Sequence, residues 1–258
     1  MKIAVCAKQI PDPATPYELD PEHHWIVRPD DQILDDTDRY GVEIGLQLAE
    51  ASEGSVTLFS MSPAGNLQGI RQALAMGADK AVIVSDPALK GSDALVTAKV
   101  LARAIQQEGF DLVIAGTEST DGSAGVLPQQ LSELLEVPAL TFAKAVEHDG
   151  DTIRIHRQTP DGYDEVEATL PAVLTVTAGV VEPRYPTFKG IMQAKQKPVE
   201  QLTAADLGFD ATEVGAAGSA QYVRSVTPVP ARQAGEIVED DGEAYRKILE
   251  VLEQAKVV

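Results

Sequence analysis

Short apolar runs alternate with amphipathic segments over the first half of the chain, and this alternation restricts the fold more than any other feature. Four runs are predicted strands, at residues 2–7, 55–60, 81–85 and 112–115. Helices are predicted at residues 39–51, 63–76, 93–108 and 128–137, with Ser62 and Ser92 as N-caps and Gly54 ending the first helix. Such alternation is typical of a parallel sheet covered on both faces. We therefore predict a three-layer α/β fold with a mostly parallel, Rossmann-like sheet.

A polar, glycine-rich loop at residues 116–125 follows the fourth predicted strand. It contains three glycines, two serines, two threonines, Glu118 and Asp121. A helix that begins at the end of such a loop directs free N–H groups and its positive dipole end at the loop, which favours a phosphate. The loop matches neither a P-loop nor a GxGxxG motif, so an ordinary strand-to-helix connection remains the alternative.

The charge balance restricts the partners that the chain can take. Its formal net charge is −19, from 40 acidic and 21 basic residues. This charge argues against nucleic acid and against an anionic membrane surface as partners. No stretch approaches the roughly twenty apolar residues that span a bilayer. The N-terminus reads as a strand and not as a signal peptide, and we expect a cytoplasmic protein without membrane insertion.

The single cysteine and the four histidines do not indicate a catalytic or metal site. Cys6 lies in an apolar run, which favours a buried, unreactive thiol and a reducing compartment. His23 and His24 fall in a long excursion at residues 8–38, where residues 23–27 are a candidate hairpin strand. Nothing near them supplies a third metal ligand at a familiar spacing. Neither a Ser-His-Asp arrangement nor a convincing carboxylate pair is present, so no catalytic residue is predicted.

The second half of the chain changes to a meander followed by an arm. Residues 140–170 alternate around Asp-Gly turns, which predicts a small antiparallel extension. Residues 172–178 are an apolar core run, and residues 243–256 form an amphipathic helix. We predict an α/β domain at residues 1–200 and an arm at residues 201–258 that packs on a neighbouring subunit.

Residues 182–197, here called the docking segment, are basic in an otherwise acidic chain. The segment carries aromatic and aliphatic side chains beside cations, namely Arg184, Tyr185, Phe188, Lys189, Ile191, Met192, Lys195 and Lys197. An apolar patch surrounded by cations is typical of a surface for an acidic or apolar partner. A connecting loop that packs on its own domain is the alternative.

Several stretches together resemble the beta subunits of the electron transfer flavoproteins. They are KIAVCAKQIPD at the start, RQALAMGADKAVIV at 71–84, DLVIAGTESTDG with QQLSELLEVPALTFA after it, and LPAVLTVTAGVVEPRYPTFKGIMQAK at 170–195. The resemblance covers nearly the whole chain, and the last stretch is the most specific. It implies an electron carrier that pairs with an alpha subunit holding most of an FAD, while this subunit binds AMP.

The resemblance also implies site residues by position. The AMP contacts would fall on residues 35–38 and on Cys6, Asp35, Asp38, Met61, Gly116, Ser119, Asp121, Gly122, Ser123, Ala124, Gly125, Val126 and Leu127. Backbone N–H groups of residues 123–127 would take the phosphate. In the docking segment, Phe188 would be the anchor for partner flavin-dependent dehydrogenases, flanked by Lys195 and Lys197, with Arg184 and Tyr185 at the base of the loop.

Three departures separate this chain from the common family pattern. Asp35-Asp36 stands where many members have Asn-Pro, and acids near a phosphate reduce its affinity. Ser123-Ala124 and Val126 replace residues with more side-chain donors, and Phe188 replaces a frequent leucine. Two other functions stay open: a member of the family that bifurcates electrons with a second FAD in place of AMP, and a stand-alone nucleotide-binding stress or signalling protein.

Overall fold

The protein folds into two compact units, at Met1–Arg224 and Ser225–Val258. The structure is a computed structural model, and it describes residues 1–63, 65–230, 235, 237–240 and 242–258. The two units are considered separately below. The part of the predicted arm at residues 231–234, 236 and 241 lies outside the described residues.

Strands and helices follow one another in the predicted order. The strands are β1 (Lys2–Cys6), β2 (Gln9–Ile10), β3 (Ile33–Leu34), β4 (Ser55–Met61), β5 (Lys80–Val84), β6 (Leu112–Gly116), β7 (Ala139–Asp149), β8 (Thr152–Thr159), β9 (Gly162–Thr169), β10 (Ala172–Val176) and β11 (Val199–Leu202). The helices are α1 (Asp36–Ser52), α2 (Gln68–Met76), α3 (Ala94–Glu108), α4 (Leu127–Leu135), α5 (Phe188–Ala194), α6 (Gly215–Gly218) and α7 (Ala244–Gln254).

Nine strands form one sheet in the order β11-β5-β4-β1-β6-β10-β7-β8-β9. The pairs from β11 to β7 are parallel, and β7, β8 and β9 pair antiparallel as the predicted meander. The central strands bury nearly every residue, as parallel strands covered on both faces must. Residues of α1, α2 and α5 cover one face, and residues of α3 and α4 cover the other. The three-layer α/β prediction is confirmed.

The strand order reverses at β1, which lies between β4 and β6. Open parallel sheets bind ligands outside the carboxyl ends of the strands at such a reversal. β1 is followed there by Ala7 and Lys8, β4 ends in Met61, and β6 ends in Gly116. The fold therefore brings the predicted glycine-rich loop to the position where ligands bind.

Three predicted helix ends differ from the structure. The second helix begins at Gln68 and not at Pro63, because its first N–H groups, on Gly69 and Ile70, are capped by the distant side chain of Gln9. Asp93 caps α3 in place of Ser92, whose hydroxyl instead donates to the carbonyl of Leu89. Helix α1 ends at Ser52, and its C-cap Glu53 adopts the left-handed conformation expected of Gly54.

The excursion at residues 8–38 is held by two small antiparallel pairings. β2 pairs with β3, and a single bridge joins Leu19 to Ile26 within the predicted hairpin region. The segment after residue 200 also belongs to the first unit. β11 adds to the sheet beside β5, and Leu207 and Val214 are buried in the core. The compact α/β unit thus extends past the predicted boundary at residue 200.

The second unit contains one regular element, α7, among its described residues. Tyr245, Ile248 and Leu249 lie on this helix, and none of its residues is buried. An amphipathic helix of this kind gains most of its stability from burying its apolar face against a partner. The helix predicted at residues 243–256 is present, with slightly shorter bounds.

Candidate nucleotide site and docking segment

The carboxylate of Asp35 is fully buried and ties the glycine-rich loop to the start of α1. It accepts hydrogen bonds from the N–H group and the hydroxyl of Thr120, each at 2.7 Å, and from the N–H group of Thr37 at 3.1 Å. The Thr37 hydroxyl in turn donates to the carbonyl of Glu118. Through these hydrogen bonds Asp35 holds the glycine-rich loop in position against the start of α1.

Asp38 occupies the gap between the carboxyl ends of β1 and β6. Its carboxylate accepts a 2.6 Å hydrogen bond from the N–H group of Lys8, and a second bond from the N–H group of Gly116. Burial, and then the charge of Asp35, raises the pKa of Asp38 to about 8. Burial, and then the charge of Asp38, raises the pKa of the Cys6 thiol to about 12. The prediction that Cys6 is buried is confirmed.

Asp121 lies between two cations that the sequence did not predict for this site. Lys8 Nζ is 2.6 Å from Asp121 Oδ1, and Arg28 is 2.6 Å from Asp121 Oδ2. Burial acts to raise the pKa of Asp121, but Lys8 and Arg28 outweigh it, so the pKa lies below its usual range. Lys8 also donates to the hydroxyl of Ser119. Three segments far apart in sequence therefore meet at one buried carboxylate, with one positive charge in excess.

The backbone between Ser123 and Leu127 has the features of an anion-binding concavity. The Ser123 N–H group is used within the loop, where it donates to the carbonyl of Ser119 at 2.8 Å. In the part of the chain that the structure describes, the N–H groups of Ala124, Gly125 and Val126 have no hydrogen-bond partner. Helix α4 has no side-chain cap, so its first N–H group, on Leu127, is also free.

Two residues of this stretch have left-handed backbone conformations, with φ of 44° at Ser123 and 63° at Gly125. Successive N–H groups in turns of this type converge on a common point and bind anions. The positive dipole end of α4 adds to the same field. The residues present therefore fit a phosphate at Ala124–Leu127, while Ser123 contributes its conformation and not its N–H group.

Four buried side-chain atoms lack a hydrogen-bond partner among the described residues, namely Tyr17 Oη, Ser60 Oγ, Gln129 Oε1 and Gln130 Oε1. Ser60 lies at the carboxyl end of β4, and the two glutamines lie in the first turn of α4. Burial, and then the charges of Asp121 and Asp35, raises the pKa of Tyr17. Buried polar atoms without partners destabilise a protein unless water or a ligand satisfies them.

The remaining residues predicted by resemblance line the same edge of the sheet. Met61 ends β4 and packs against the core beneath α3 and α4. A Cβ at Gly116 would lie 3.0 Å from Asp38 Oδ1, and a Cβ at Gly122 would lie 3.2 Å from the hydroxyl of Ser119. Both glycines allow a close approach that a larger residue would crowd.

The docking segment contains a short helix, α5, where the sequence predicted a loop. The Thr187 hydroxyl caps this helix by accepting from the N–H group of Gly190 at 3.0 Å. Tyr185 and Phe188 are each 81% exposed, and Ile191 and Met192 are exposed beside them. The structure thus places the predicted apolar anchor residues on one outward-facing patch.

Arg184 and Lys197, two of the predicted docking cations, point to the protein itself. Arg184 pairs with Glu43 at 2.8 Å and with Glu50, both on α1. Lys197 donates to three backbone carbonyls at the end of α2, those of Leu74, Gly77 and Ala78. Lys195 follows directly after α5 and is exposed. Of the predicted flanking charges, Lys195 is therefore presented to solvent and Lys197 is not.

The described residues contain no group of three or more His, Cys, Asp or Glu side chains arranged to hold a metal ion. His23 instead bonds to Asp20 at 3.0 Å and stacks on Trp25, with ring centroids 4.3 Å apart. Among the helices of the described residues, none has the length and apolar character needed to cross a bilayer.

Comparison with known proteins gives one consistent result. The Electron transfer flavoprotein domain family matches residues 24–207. The chain is 42% identical over 263 residues to "Electron transfer flavoprotein subunit beta" of Mycobacterium tuberculosis, which covers 99% of each chain. It is 34% identical over 271 residues to the protein of the same name from Megasphaera elsdenii, covering 100% of both. It is also 33% identical to "Caffeyl-CoA reductase-Etf complex subunit CarD" of Acetobacterium woodii, over 92% of each.

Proposed function

The chain belongs to the electron transfer flavoprotein beta-subunit family, and from this premise we propose that it works as one half of a heterodimeric electron carrier. In this proposal an alpha subunit holds most of a redox-active FAD, and the chain described here carries AMP. The observation that supports the nucleotide most directly is the set of free N–H groups at the start of α4, on the ligand-binding edge of the sheet.

The AMP phosphate would be held by the backbone N–H groups of Ala124–Leu127. Lys8 and Arg28 place two positive charges beside this loop, where both pair with the buried carboxylate of Asp121. These cations reduce the cost of bringing a phosphate near Asp35 and Asp38. The buried polar atoms of Tyr17 and Ser60 would gain partners on the nucleoside. The FAD, when bound to the partner subunit, supplies the redox chemistry, and this chain supplies binding and orientation.

The exposed patch on α5 would bind flavin-dependent dehydrogenases. Phe188 and Tyr185 are the two aromatic residues of the patch, and both are highly exposed. Large aromatic side chains that fill a partner pocket contribute much of the binding energy of protein interfaces. Lys189 and Lys195 next to the patch would attract an acidic rim on the partner.

The C-terminal residues would pack on the alpha subunit. The helix α7 buries none of its apolar side chains, and Tyr222 and Val229 before it are also exposed. These side chains would be covered in the heterodimer. The full-length similarity to beta subunits supports this arrangement over a stand-alone nucleotide-binding stress or signalling protein.

Co-expression with the alpha subunit tests this proposal. We expect the two chains to purify as a 1:1 heterodimer with the visible absorbance of a bound flavin. A chain that stays monomeric, or a complex without flavin absorbance, would contradict it. The nucleotide of this subunit is a separate question, which the last measurement in the Discussion addresses.

A further inference from the structure

The docking segment is attached to the protein at both of its ends by cations. At its start, Arg184 donates to Glu43 through its Nε and one terminal nitrogen, at 2.8 and 3.0 Å, and to Glu50 through its terminal nitrogens. The backbone N–H group of Arg184 also donates to the Glu43 carboxylate. A guanidinium that reaches two carboxylates in this way fixes both position and orientation.

The Glu43 carboxylate is nearly inaccessible to solvent, with 4% of its side chain exposed. Burial acts to raise the pKa of Glu43, but the hydrogen bonds from Arg184 outweigh it, and the pKa lies below its usual range. Bonds to Glu50 and Glu43 raise the pKa of Arg184 in turn. Because Glu43 is buried, separating it from Arg184 would leave an uncompensated buried charge, so the pair is costly to break.

At its end, the segment exchanges hydrogen bonds with α2 in both directions. Arg71 on α2 donates to the carbonyl of Ala194, the last residue of α5, at 2.6 Å, and to the carbonyl of Lys197 at 3.1 Å. Lys197 donates to the carbonyls of Leu74, Gly77 and Ala78 at 3.0, 2.9 and 2.6 Å. A cation from each segment therefore bonds one carbonyl in the last turn of the other segment's helix and one or more carbonyls just after it.

Close backbone contact adds to these bonds in the middle of the segment. A Cβ at Gly190 would lie 2.5 Å from the carbonyl oxygen of Ala75, so only glycine allows α5 to lie this close to α2. Ala194 is buried on the same side. One side of α5 is thus fixed, while Phe188, Ile191 and Met192 remain exposed.

From this geometry we propose that Arg184 and Lys197 are positioning residues that hold the docking segment in its binding conformation before a partner arrives. They act on the partner through the segment and do not contact it. A short helix of seven residues is not stable alone in water, so without these bonds the segment would have to become ordered on binding. Ordering before binding removes that entropic cost. The consequence for docking rests on the proposed function, whereas the ordering of the segment does not.

Trypsin is a suitable probe, because Arg184, Lys189 and Lys195 are cleavage sites within the segment. The test uses the purified chain and its double variant Glu43→Gln, Glu50→Gln, which keeps these sites and removes the charges that hold Arg184. Lys197→Met is the second variant, and it removes no trypsin site because Pro198 follows Lys197. The double variant Glu165→Gln, Glu167→Gln is the matched control. It also removes two carboxylate charges that pair with one arginine, here Arg154 on the meander.

We expect trypsin to cleave at Lys189 and Lys195 about tenfold faster in the double variant and in Lys197→Met than in the wild type or the control. Equal cleavage rates in all four proteins would overturn the proposal. Circular dichroism must show the same folded structure in each, so that global unfolding is not the cause.

A kinetic measurement separates positioning from docking. The electron donor is a purified flavin-dependent dehydrogenase from the same organism. It is selected beforehand for its ability to reduce the wild-type heterodimer. We expect the double variant to raise KM for the heterodimer about three- to tenfold at unchanged kcat, since a docked segment recovers its geometry. Faster cleavage with an unchanged KM would confirm that the ion pairs order the segment, and would contradict the docking role given to it in the proposed function.

Discussion

The carboxylate of Asp35 accepts hydrogen bonds from both the N–H group and the hydroxyl of Thr120, at 2.7 Å each. Asp35 is the N-cap of α1, and Thr120 is in the middle of the glycine-rich loop. This pair fixes the loop whose far end carries the free N–H groups of Ala124–Leu127. If the loop binds a nucleotide as proposed, its affinity should therefore depend on Asp35, which holds the loop in place.

Replacement of Asp35 by Ala should weaken both the fold and the site. The N–H groups and hydroxyls of Thr120 and Thr37 would lose a charged and fully buried acceptor, and we expect the free energy of unfolding to fall by about 2–4 kcal/mol. Urea denaturation of the purified chain measures this change. The neighbouring carboxylate provides the control, since the Asp36 side chain is 79% exposed and Asp36→Ala should change stability by less than about 0.5 kcal/mol. Equal losses in the two variants would contradict the role of Asp35.

The buried carboxyl of Asp38 should make stability depend on pH. Its pKa rises from 3.8 to about 8 in the folded protein, so between these values the folded state binds more protons than the unfolded state. The contribution of Asp38 to the free energy of unfolding is therefore full below about pH 4, and it decreases as the pH rises towards about 8. The slope is at most about 1.4 kcal/mol per pH unit.

Replacement of Asp38 by Asn should flatten this part of the pH profile. The amide oxygen can still accept from the N–H group of Lys8 and the amide cannot ionise, so the variant removes the titration and keeps this contact. Urea denaturation at pH 5 and pH 8 compares the wild type, Asp38→Asn and the exposed control Asp36→Asn. A wild-type slope that persists in Asp38→Asn would assign the dependence to another group.

Loss of the Lys8 charge should lower nucleotide affinity. Lys8 Nζ is 2.6 Å from Asp121 Oδ1 and 3.2 Å from the Ser119 hydroxyl, so it both holds the loop and adds positive charge beside it. We expect Lys8→Met to weaken AMP binding about tenfold or more, as measured by calorimetry on nucleotide-free heterodimer. Lys2→Met is the matched control, because Lys2 lies at the opposite end of the same strand. Similar affinities in both variants would remove Lys8 from the site.

Truncation of Phe188 should impair docking without affecting the fold. Its side chain is 81% exposed, so Phe188→Ala should change the free energy of unfolding by less than about 0.5 kcal/mol. We expect kcat/KM for reduction by a partner dehydrogenase to fall about tenfold or more, as for an interface anchor residue. Tyr163→Ala on the meander is a control for loss of an exposed aromatic residue. Unchanged kinetics in Phe188→Ala would place the docking surface elsewhere.

Local patterns in the sequence predict the sheet and the loop because each depends on nearby residues. The apolar run at residues 112–115, the glycines after it and the following leucines are all contiguous, and the structure has β6, the loop and α4 in these positions. The Asp-Gly turns at residues 149–150 and 161–162 likewise predict the meander. For such elements, periodicity and turn chemistry carry enough information.

Long-range partners are what the sequence does not predict. Asp121 contacts Lys8 and Arg28 only after three distant segments have folded together. No spacing along the chain predicts these contacts. The start of α2 was predicted too early for the same reason, since its capping group belongs to Gln9. Lys197 resembles a docking charge by composition, yet its carbonyl partners on α2 become visible only in three dimensions.

The nucleotide content of the purified heterodimer tests the central claim most directly. The complex is denatured, and the released nucleotides are separated by chromatography and quantified against protein. We predict one FAD and one AMP per heterodimer, with the AMP lost in Lys8→Met and in Asp35→Ala. Two FAD and no AMP would contradict the account, and would assign the free N–H groups of Ala124–Leu127 to a second flavin of a bifurcating complex.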